Sequence, residues 1–365
     1  MGNAMINILG AGPAGLCAAI NLSRAGENVK VHEKREAVGM RFCPNLQGLR
    51  YLYMPPEKFM RQMGVQANVK FHYFSRARIC TRKKSVELDC SGGGQMPFVL
   101  RGAGGTTGND SLDAALFSEA KKLGVEFEFN SRMKEDGADI IATGSKGEPD
   151  SAALGSVFEN SDFPRDCQLV MFDDRYSPKG WYSYILPIGS DEIEFVTCVS
   201  KPYIPQLARL HAKAMVERKE IADAVGGRKK ISSFGGSASS RIPKSAFVGG
   251  KYFVGEAAGF QDPYMGFGIA YALRSGHMAA RSLLGSEDYD AQWKREFGYY
   301  LRKDAAYRLV MEMLGDSAAD IVMSNYRDGA RVDLSSALPE KNAAYRALVE
   351  GVALIAQAKR KICRR

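Results

Sequence analysis

The order of apolar and polar positions divides the start of the chain into a strand, a helix and a second strand. Residues 5–9 form a short apolar run, which predicts a buried parallel strand. The apolar residues between positions 16 and 22 recur at helical spacing, and the pattern ends at Gly26. Residues 29–32 then alternate as a second strand that ends at Glu33. This order predicts the first βαβ portion of a dinucleotide-binding fold.

A glycine-rich turn joins the first strand to the helix, and we call residues 10–15 the glycine turn. Its sequence is Gly10-Ala11-Gly12-Pro13-Ala14-Gly15. The first glycine permits the tight turn, the second lets a pyrophosphate approach the backbone, and the third lets the helix pack on the strand. The helix N-terminus adds free N–H groups and the positive end of a dipole. Glu33, followed by Lys34, lies where an acidic side chain meets the ribose hydroxyls of the adenosine half.

The glycine turn alone does not distinguish a flavin dinucleotide from a nicotinamide dinucleotide. Two later segments favour the flavin. Residues 138–144 predict a strand that runs into Thr143 and Gly144. Residues 251–259 predict another strand, ending at the carboxylate of Glu256. Small residues between 266 and 275 follow, and they suit the close approach of a backbone to a flat ring. A carboxylate at a strand end is an acceptor for the sugar-like ribityl chain of a flavin.

Residues 255–276 read GEAAGFQDPYMGFGIAYALRSG. This segment resembles the third flavin motif of the geranylgeranyl reductase family, within the p-hydroxybenzoate-hydroxylase-like flavoprotein superfamily. The resemblance implies bound FAD, with Glu256 standing where the superfamily usually has Asp, and Asp262 matching directly. It implies these cofactor-binding residues in the segment: Gly255, Glu256, Pro263, Gly266, Phe267, Gly268 and Ile269.

Two further segments extend the resemblance. Residues 182–187, reading YSYILP, are similar to the aromatic motif on the sheet that roofs the family's substrate cavity, with Tyr184 in place of a tryptophan. An ordinary alternating strand is the alternative interpretation. The loop at residues 39–44 falls where relatives carry a Gly-Arg segment, and the resemblance implies Arg41 as a cofactor ligand and Cys43 as a candidate near the flavin. The favoured interpretation of Cys43 is an inert small hydrophobic residue, as most lone cysteines are. Arg101 is a further cofactor candidate, although it lies upstream of its expected position before Asp113.

The nucleotide-binding elements are discontinuous along the chain. We predict a mixed α/β protein with a Rossmann-like FAD-binding domain at residues 1–54, 95–150 and 245–290. A substrate domain with an antiparallel sheet is inserted at residues 55–94 and 151–244, and a helical region covers residues 291–365. Segments 167–172, 181–186 and 193–199 carry the β-branched and aromatic residues of strands, and segment 203–225 has a helical pattern.

Composition narrows the class of protein. The chain has 365 residues, 45% hydrophobic and 25% charged, which is typical of a globular protein with two sizeable cores. Its net charge of +9 comes with no recognisable nucleic-acid-binding module, so we expect no nucleic-acid partner. The seven cysteines are scattered and the four histidines are widely separated, so we expect a reducing cytoplasm and no metal site. No run of residues is long and apolar enough for a transmembrane helix.

The basic C-terminal tail, residues 353–365, has two interpretations. It combines an apolar stretch with five Lys and Arg residues, which would suit peripheral docking on an anionic membrane that holds a lipid substrate. The alternative is a solvated terminal helix with no binding role, because basic residues also complement a helix dipole.

The expected function follows from the family resemblance. We expect reduction of carbon–carbon double bonds in a prenyl lipid, with Tyr182, Tyr184, Tyr264 and Cys43 as candidate proton donors. A flavin monooxygenase of an aromatic or apolar substrate is the main alternative, since one fold serves many reactions. A halogenase is less favoured, and a non-catalytic flavin- or lipid-binding carrier is the third class. The sequence leaves three classes of reductant open: NAD(P)H, reduced ferredoxin, whose acidic surface would suit a basic protein, and another small electron carrier.

Overall fold

The computed structural model describes residues 4–92, 95–104, 110–145, 147–331, 351–353 and 355. The chain divides into two compact units. The first unit comprises Met1–His72, Pro97–Glu148 and Ser239–Arg302, and the second comprises Tyr73–Met96, Pro149–Ala238 and Lys303–Arg365. The segment at 55–94, which the sequence assigned to the substrate domain, is shared between the units. The predicted C-terminal region at 291–365 is also shared, since residues up to Arg302 fall in the first unit.

The described residues form strands and helices that alternate along the chain. The strands are β1 (Ile6–Leu9), β2 (Val29–His32), β3 (Asn45–Gly48), β4 (Phe71–His72), β5 (Arg76–Cys80), β6 (Ser85–Asp89), β7 (Phe98–Arg101), β8 (Glu126–Glu128), β9 (Ile140–Ile141), β10 (Ser151–Glu159), β11 (Cys167–Met171), β12 (Ser183–Ile188), β13 (Glu192–Ser200), β14 (Lys230–Ala238), β15 (Phe247–Val248), β16 (Lys251–Phe253) and β17 (Ala330–Arg331). The α-helices are α1 (Pro13–Arg24), α2 (Pro56–Gln62), α3 (Leu112–Lys122), α4 (Leu207–Glu217), α5 (Lys219–Val225), α6 (Ile269–Leu283), α7 (Tyr289–Trp293), α8 (Tyr299–Leu314) and α9 (Asp316–Ser324).

The first unit contains the predicted Rossmann-like sheet, with strand order β15-β16-β9-β1-β2-β8. Strand β1 lies between β2 and β9 and is parallel to both, with Ile8 opposite Val31 and Ile140. These three side chains are fully buried, as expected for the centre of a parallel sheet covered on both faces. Three further strands form a small antiparallel sheet in the order β3-β7-β4.

The second unit is built on an eight-stranded sheet in the order β14-β10-β13-β12-β11-β5-β6-β17. Most neighbours are antiparallel, whereas β11 with β5 and β17 with β6 are parallel pairs. The predicted strands at 167–172, 181–186 and 193–199 correspond to β11, β12 and β13. One face of this sheet packs on α4 and α5 through a cluster of buried side chains that includes Leu169, Ile185 and Phe195.

The helical pattern predicted at 203–225 is confirmed: a 3₁₀ segment at Lys201–Gln206 precedes α4, and Arg218 separates α4 from α5. One sequence-based prediction needs correction. The region after 290 is not wholly helical, because β17 pairs with β6. The proposed membrane-docking tail at 353–365 lies almost entirely outside the described residues. Among the helices that are described, none combines the length and the apolar character needed to cross a bilayer.

Candidate functional site

The three glycines of the glycine turn have different surroundings. Gly10 has φ of +107°, and a side chain there would overlap the carbonyl oxygen of Ala142. A side chain at Gly15 would overlap the carbonyl oxygen of Gly10. At Gly12, by contrast, a Cβ atom would meet no atom of the described residues within 4 Å, its chain neighbours aside. The fold itself therefore requires Gly10 and Gly15, while Gly12 borders open space at the helix N-terminus.

Helix α1 presents its N-terminal backbone at this space. Gly12 is the N-cap residue, no side chain caps the helix, and Pro13 occupies the first turn. Gly12 therefore leaves backbone donors of the first turn without a capping side chain, which is the arrangement that binds phosphate groups at helix N-termini. Ala14 is buried and faces α6, where Gly276 permits close packing, since a side chain there would overlap the Ala14 carbonyl oxygen.

Glu33 is fixed against the glycine turn. Its Oε2 atom accepts a hydrogen bond of 2.9 Å from the Ala11 amide, and its Oε1 atom accepts one of 3.0 Å from the Arg35 amide. Each carboxylate oxygen keeps a further acceptor position. The sequence thus predicted a carboxylate that the structure places beside the turn. Lys34, the neighbouring candidate, is an exposed side chain.

Arg41, Gly144 and Glu256 come together from three separate segments of the first unit. The Nη1 atom of Arg41 lies 3.3 Å from Oε2 of Glu256. A Cβ atom at Gly144 would lie 3.1 Å from Nη1 of Arg41 and 3.6 Å from Oε2 of Glu256. Thr143, beside Gly144, is exposed. Three cofactor candidates from distant parts of the sequence thus form one cluster.

The second carboxylate oxygen of Glu256 is the clearest sign of a missing ligand. Its Oε1 atom is buried and has no hydrogen-bond partner among the described residues. An unsatisfied buried acceptor is costly, so native structures normally supply a donor from protein, water or a bound group. Gly255 holds this segment in place: its φ is +58°, and its amide donates to Oγ of Ser275 at 2.8 Å.

Asp262 organises the loop that follows Glu256. Its Oδ1 atom accepts hydrogen bonds from the amides of Tyr264 at 2.6 Å and Met265 at 3.2 Å. Its Oδ2 atom accepts one from Nη1 of Arg50 at 2.6 Å. The backbone amide of Asp262 donates to the Phe267 carbonyl at 2.8 Å. The fully buried carboxylate and the backbone of Asp262 together therefore fix both ends of the loop. Helix α6 begins directly after this loop at Ile269.

Gln261 belongs to the same loop and was missed by the sequence analysis. Its Nε2 atom donates to the Gly266 carbonyl at 2.8 Å, while its Oε1 atom is buried without a hydrogen-bond partner among the described residues. A Cβ atom at Gly268 would contact this side chain at 3.6 Å. Pro263 is buried beside it. The quoted motif contained Gln261, but no sequence signal distinguished its side chain from its neighbours.

Arg101 is committed to a buried ion pair. Its Nε and Nη2 atoms donate to the two carboxylate oxygens of Asp113 at 2.7 and 2.8 Å, and Nη1 donates to Gln47 at 3.0 Å. Its guanidinium also lies 4.7 Å from the ring centre of Phe42. Only 6% of Arg101 is exposed. Arg101 therefore fixes the loop that carries Arg41 and the half-buried Cys43, and its donors are largely used within the protein.

Tyr182 and Tyr184 lie in the second unit, Tyr182 just before β12 and Tyr184 near its start. Tyr184 pairs with Val196 across β13, and Leu186 pairs with Glu194, so these side chains share one face of the sheet. Burial raises the pKa of the Tyr184 phenol well above its usual value, and the nearby Glu194, Cys198 and Tyr182 raise this pKa further. Tyr184 is therefore a neutral hydrogen-bond donor at physiological pH.

The opposite face of β12 carries a buried hydrogen-bond chain that the sequence did not reveal. His211 on α4 contacts Oγ of Ser156 through Nε2 at 3.1 Å and Oγ1 of Thr197 through Nδ1 at 3.0 Å. The chain continues through Ser183 to Ser177. Burial lowers the pKa of His211 to about 4, with a smaller effect from Lys230, so its imidazole is neutral near pH 7. This chain fixes the strand that carries Tyr184.

Within the described residues, no group of three or more His, Cys, Asp or Glu side chains is arranged to hold a metal ion.

Comparisons with known proteins agree with the Rossmann-like first unit. Residues 8–53 match the family model of the NAD(P)-binding Rossmann-like domain. No curated protein matches the chain significantly.

Solved structures match nearly the whole chain. One is a geranylgeranyl bacteriochlorophyll reductase-like protein from Thermoplasma acidophilum, with 20% identity, 95% of this chain and 96% of that chain covered, and a TM-score of 0.71. A flavin-dependent brominase has 14% identity, with 98% and 100% covered and a TM-score of 0.65. A flavoprotein/dehydrogenase from Cytophaga hutchinsonii has 18% identity, with 98% and 100% covered and a TM-score of 0.64. The predicted fold is thus confirmed: this mixed α/β chain with a Rossmann-like domain has the fold of these proteins.

Proposed function

We propose that this protein is an FAD-dependent oxidoreductase that reduces carbon–carbon double bonds of a prenyl, geranylgeranyl-type lipid. The observation that carries the cofactor assignment is the buried, unsatisfied Oε1 atom of Glu256, in the same unit as the open space at Gly12. The shared fold of a reductase-like protein and other flavin-dependent proteins supports a flavin over a nicotinamide as the resident cofactor.

The residues of the first unit fit the parts of FAD. The α1 N-terminus and Gly12 would bind the pyrophosphate, because uncapped amides and the helix dipole favour an anion. Glu33 would accept hydrogen bonds from the ribose hydroxyls, and Glu256 Oε1 would accept one from the ribityl chain. Gly266 and Gly268 would let the backbone lie close to the flat ring.

A bound flavin supplies hydride transfer, which the side chains alone do not provide. Saturation of a double bond also requires a proton, and we propose the Tyr184 phenol as its donor because this side chain belongs to the aromatic segment at 182–187 and the register of β12 with β13 fixes its face of the sheet. Tyr182, Tyr264 and Cys43 remain the other candidates. The reductant would be NAD(P)H or an acidic ferredoxin, and the basic tail at 353–365 is a proposed contact with the membrane that holds the lipid.

The direct test is anaerobic. The bound flavin is reduced chemically, geranylgeranyl diphosphate is added, and the return of the oxidised flavin absorption is followed. We expect reoxidation by this lipid and none by its fully saturated analogue, which has no double bond to accept hydride. Tyr184→Phe should slow the reoxidation by about 100-fold, a typical loss for a general acid.

Three outcomes would contradict the proposal in different ways. If the unsaturated lipid fails and, after oxygen is admitted, an aromatic compound accelerates reoxidation of the flavin, the protein is a monooxygenase. If neither compound changes the reduced flavin, the protein is a carrier. A protein that purifies without flavin would overturn the cofactor assignment itself.

A further inference from the structure

Two tyrosines in the loop after β3 have left-handed backbone conformations. Tyr51 has φ of +64° and Tyr53 has φ of +55°. Bulky residues rarely adopt positive φ, because the side chain then crowds its own backbone. Such strain persists only where the surroundings enforce it, and it is concentrated at functional sites.

Contacts within the first unit enforce the conformation of Tyr51. Its carbonyl oxygen accepts a hydrogen bond of 3.1 Å from Nη2 of Arg274, and the residue is only 3% exposed. Arg274 is itself held by Glu296 at 3.7 Å and lies 5.1 Å from the ring centre of Phe59. The ring of Tyr51 stacks on that of Tyr300 with centres 5.3 Å apart.

These contacts hold the next tyrosine at the surface. The ring of Tyr53 packs against Tyr300 at 5.6 Å and against Tyr51 at 6.0 Å, yet 50% of Tyr53 is exposed. Its ring is therefore exposed and also held by two aromatic neighbours. Such a preorganised aromatic surface loses little conformational entropy when a ligand stacks on it.

Arg50 joins this surface to the loop organised by Asp262. Its guanidinium lies 4.3 Å from the ring centre of Tyr51 and 5.4 Å from that of Tyr264, and it forms the ion pair with Asp262. Tyr53 and Tyr300, which we call the tyrosine platform, are thus rigidly connected to the loop assigned to the flavin.

We propose that the tyrosine platform binds a planar aromatic ring by stacking. Two sources have this chemistry: the nicotinamide or adenine ring of a reduced pyridine dinucleotide, and the ring of an aromatic substrate. The rings of Tyr53 and Tyr300 are tilted by 35°, so a ligand would stack on one ring and meet the other at its edge. An exposed aromatic ring that is already held in place favours a planar π system over a flexible saturated chain, because two rigid rings lose little conformational freedom when they stack. The inference goes beyond the proposed reaction and concerns binding alone.

The test is a calorimetric titration of the full-length flavin-loaded protein. The probes are NADPH, 4-hydroxybenzoate and, as a non-aromatic control, cyclohexanecarboxylate. We expect one aromatic probe to bind and the saturated acid not to bind. Tyr53→Leu should weaken binding about five- to 100-fold, the range that one stacking contact contributes, whereas Tyr53→Phe should stay near the wild-type affinity. Tyr73→Ala removes a tyrosine of 41% exposure in the second unit and should change nothing.

A fourth variant separates binding from folding. Tyr53→Gly accepts the positive φ without strain, so its Tm should equal or exceed that of Tyr53→Leu while its affinity is equally weakened. Binding of NADPH would identify the platform as a docking point for the reductant, and binding of 4-hydroxybenzoate would identify a substrate ring. The inference is overturned if neither aromatic probe binds, or if the Leu or Gly variant binds as tightly as wild type. Flavin absorption, recorded for each variant, shows independently whether the cofactor assignment holds.

Discussion

Gly12 differs from Gly10 and Gly15 in what surrounds its α-carbon. Its φ of −79° and ψ of 177° are extended values that any residue adopts, and no atom of the residues that the structure describes, apart from its chain neighbours, lies within 4 Å of the position of a Cβ. A larger side chain at Gly12 would therefore fill space that the protein itself leaves open. The same substitution at Gly15 would collide with backbone.

We expect Gly12→Val to fold normally and to purify without flavin, because the side chain would occupy the pyrophosphate space. The ratio of flavin to protein absorption and the thermal unfolding curve would check this. Gly236→Val is the matched control, since its Cβ also meets nothing within 4 Å but lies on β14 in the second unit. A yellow Gly12→Val protein would contradict the assignment, and Gly15→Val should instead lose stability.

The sequence predicted which residue types form the turn, but it did not predict these differences. Gly10 is confined by Ala142, and Glu256 meets Arg41 and Gly144, so each environment depends on residues that are distant along the chain. Local motifs predict side-chain chemistry, whereas burial and pairing arise only after the chain has folded. For the same reason the ion pair of Arg101 with Asp113 appeared in the sequence only as an imperfect motif.

At the scale of elements, the N-terminus of α1 is held in position by its packing on α6. Gly276 is the point of closest approach, because a side chain there would overlap the Ala14 carbonyl oxygen and would lie 3.2 Å from the Ala18 amide. The two helices are otherwise lined by small residues at this crossing, including the buried Ala14 and Ala18 and the half-buried Ala272. Small residues at this crossing let the segment at 255–276 pack against the helix that follows the glycine turn.

We expect Gly276→Val to separate the two helices and to lower the free energy of unfolding by about 1–3 kcal/mol or more, the usual cost of overpacking. Flavin should be lost together with stability, since the α1 N-terminus would shift. Arg281→Val places the same side chain at an exposed position of α6 and should change neither property. Chemical denaturation and flavin absorption measure both effects, and equal stabilities of the two variants would contradict this packing.

The elements themselves were predicted unevenly. The strand, turn, helix and strand at 5–33 were recovered because apolar periodicity and glycines agree there. Strand β10, at Ser151–Glu159, was missed because its first half is rich in small residues that lack strand character, including Ala152, Ala153 and Gly155. Pairing with β13 and β14 on either side stabilises it instead, and such pairing is invisible to local sequence.

At the scale of the whole molecule, the four histidines respond to acid in the same direction. Burial is the largest cause that lowers the pKa of His32, His72 and His277 in the first unit and of His211 in the second. When folding lowers the pKa of a histidine, the unfolded state takes up a proton at a higher pH than the folded state does. As the pH falls below the unfolded pKa, the unfolded state therefore binds more protons and becomes relatively more stable. Each therefore contributes stability that is complete above about pH 6.5 and is lost as the pH falls.

The second unit permits the clearest test of this loss of stability in acid, because His211 is its one histidine and Trp181 is its one tryptophan. In a Trp293→Phe background, fluorescence reports unfolding around Trp181. With a folded pKa of about 4, His211 should reduce the unfolding free energy by about 2 kcal/mol between pH 7.5 and pH 5.0. His211→Phe removes the partner of Ser156 and Thr197, so it should be less stable at pH 7.5 yet lose less on acidification. Identical pH slopes in the two proteins would show that the imidazole is not held neutral in the folded second unit.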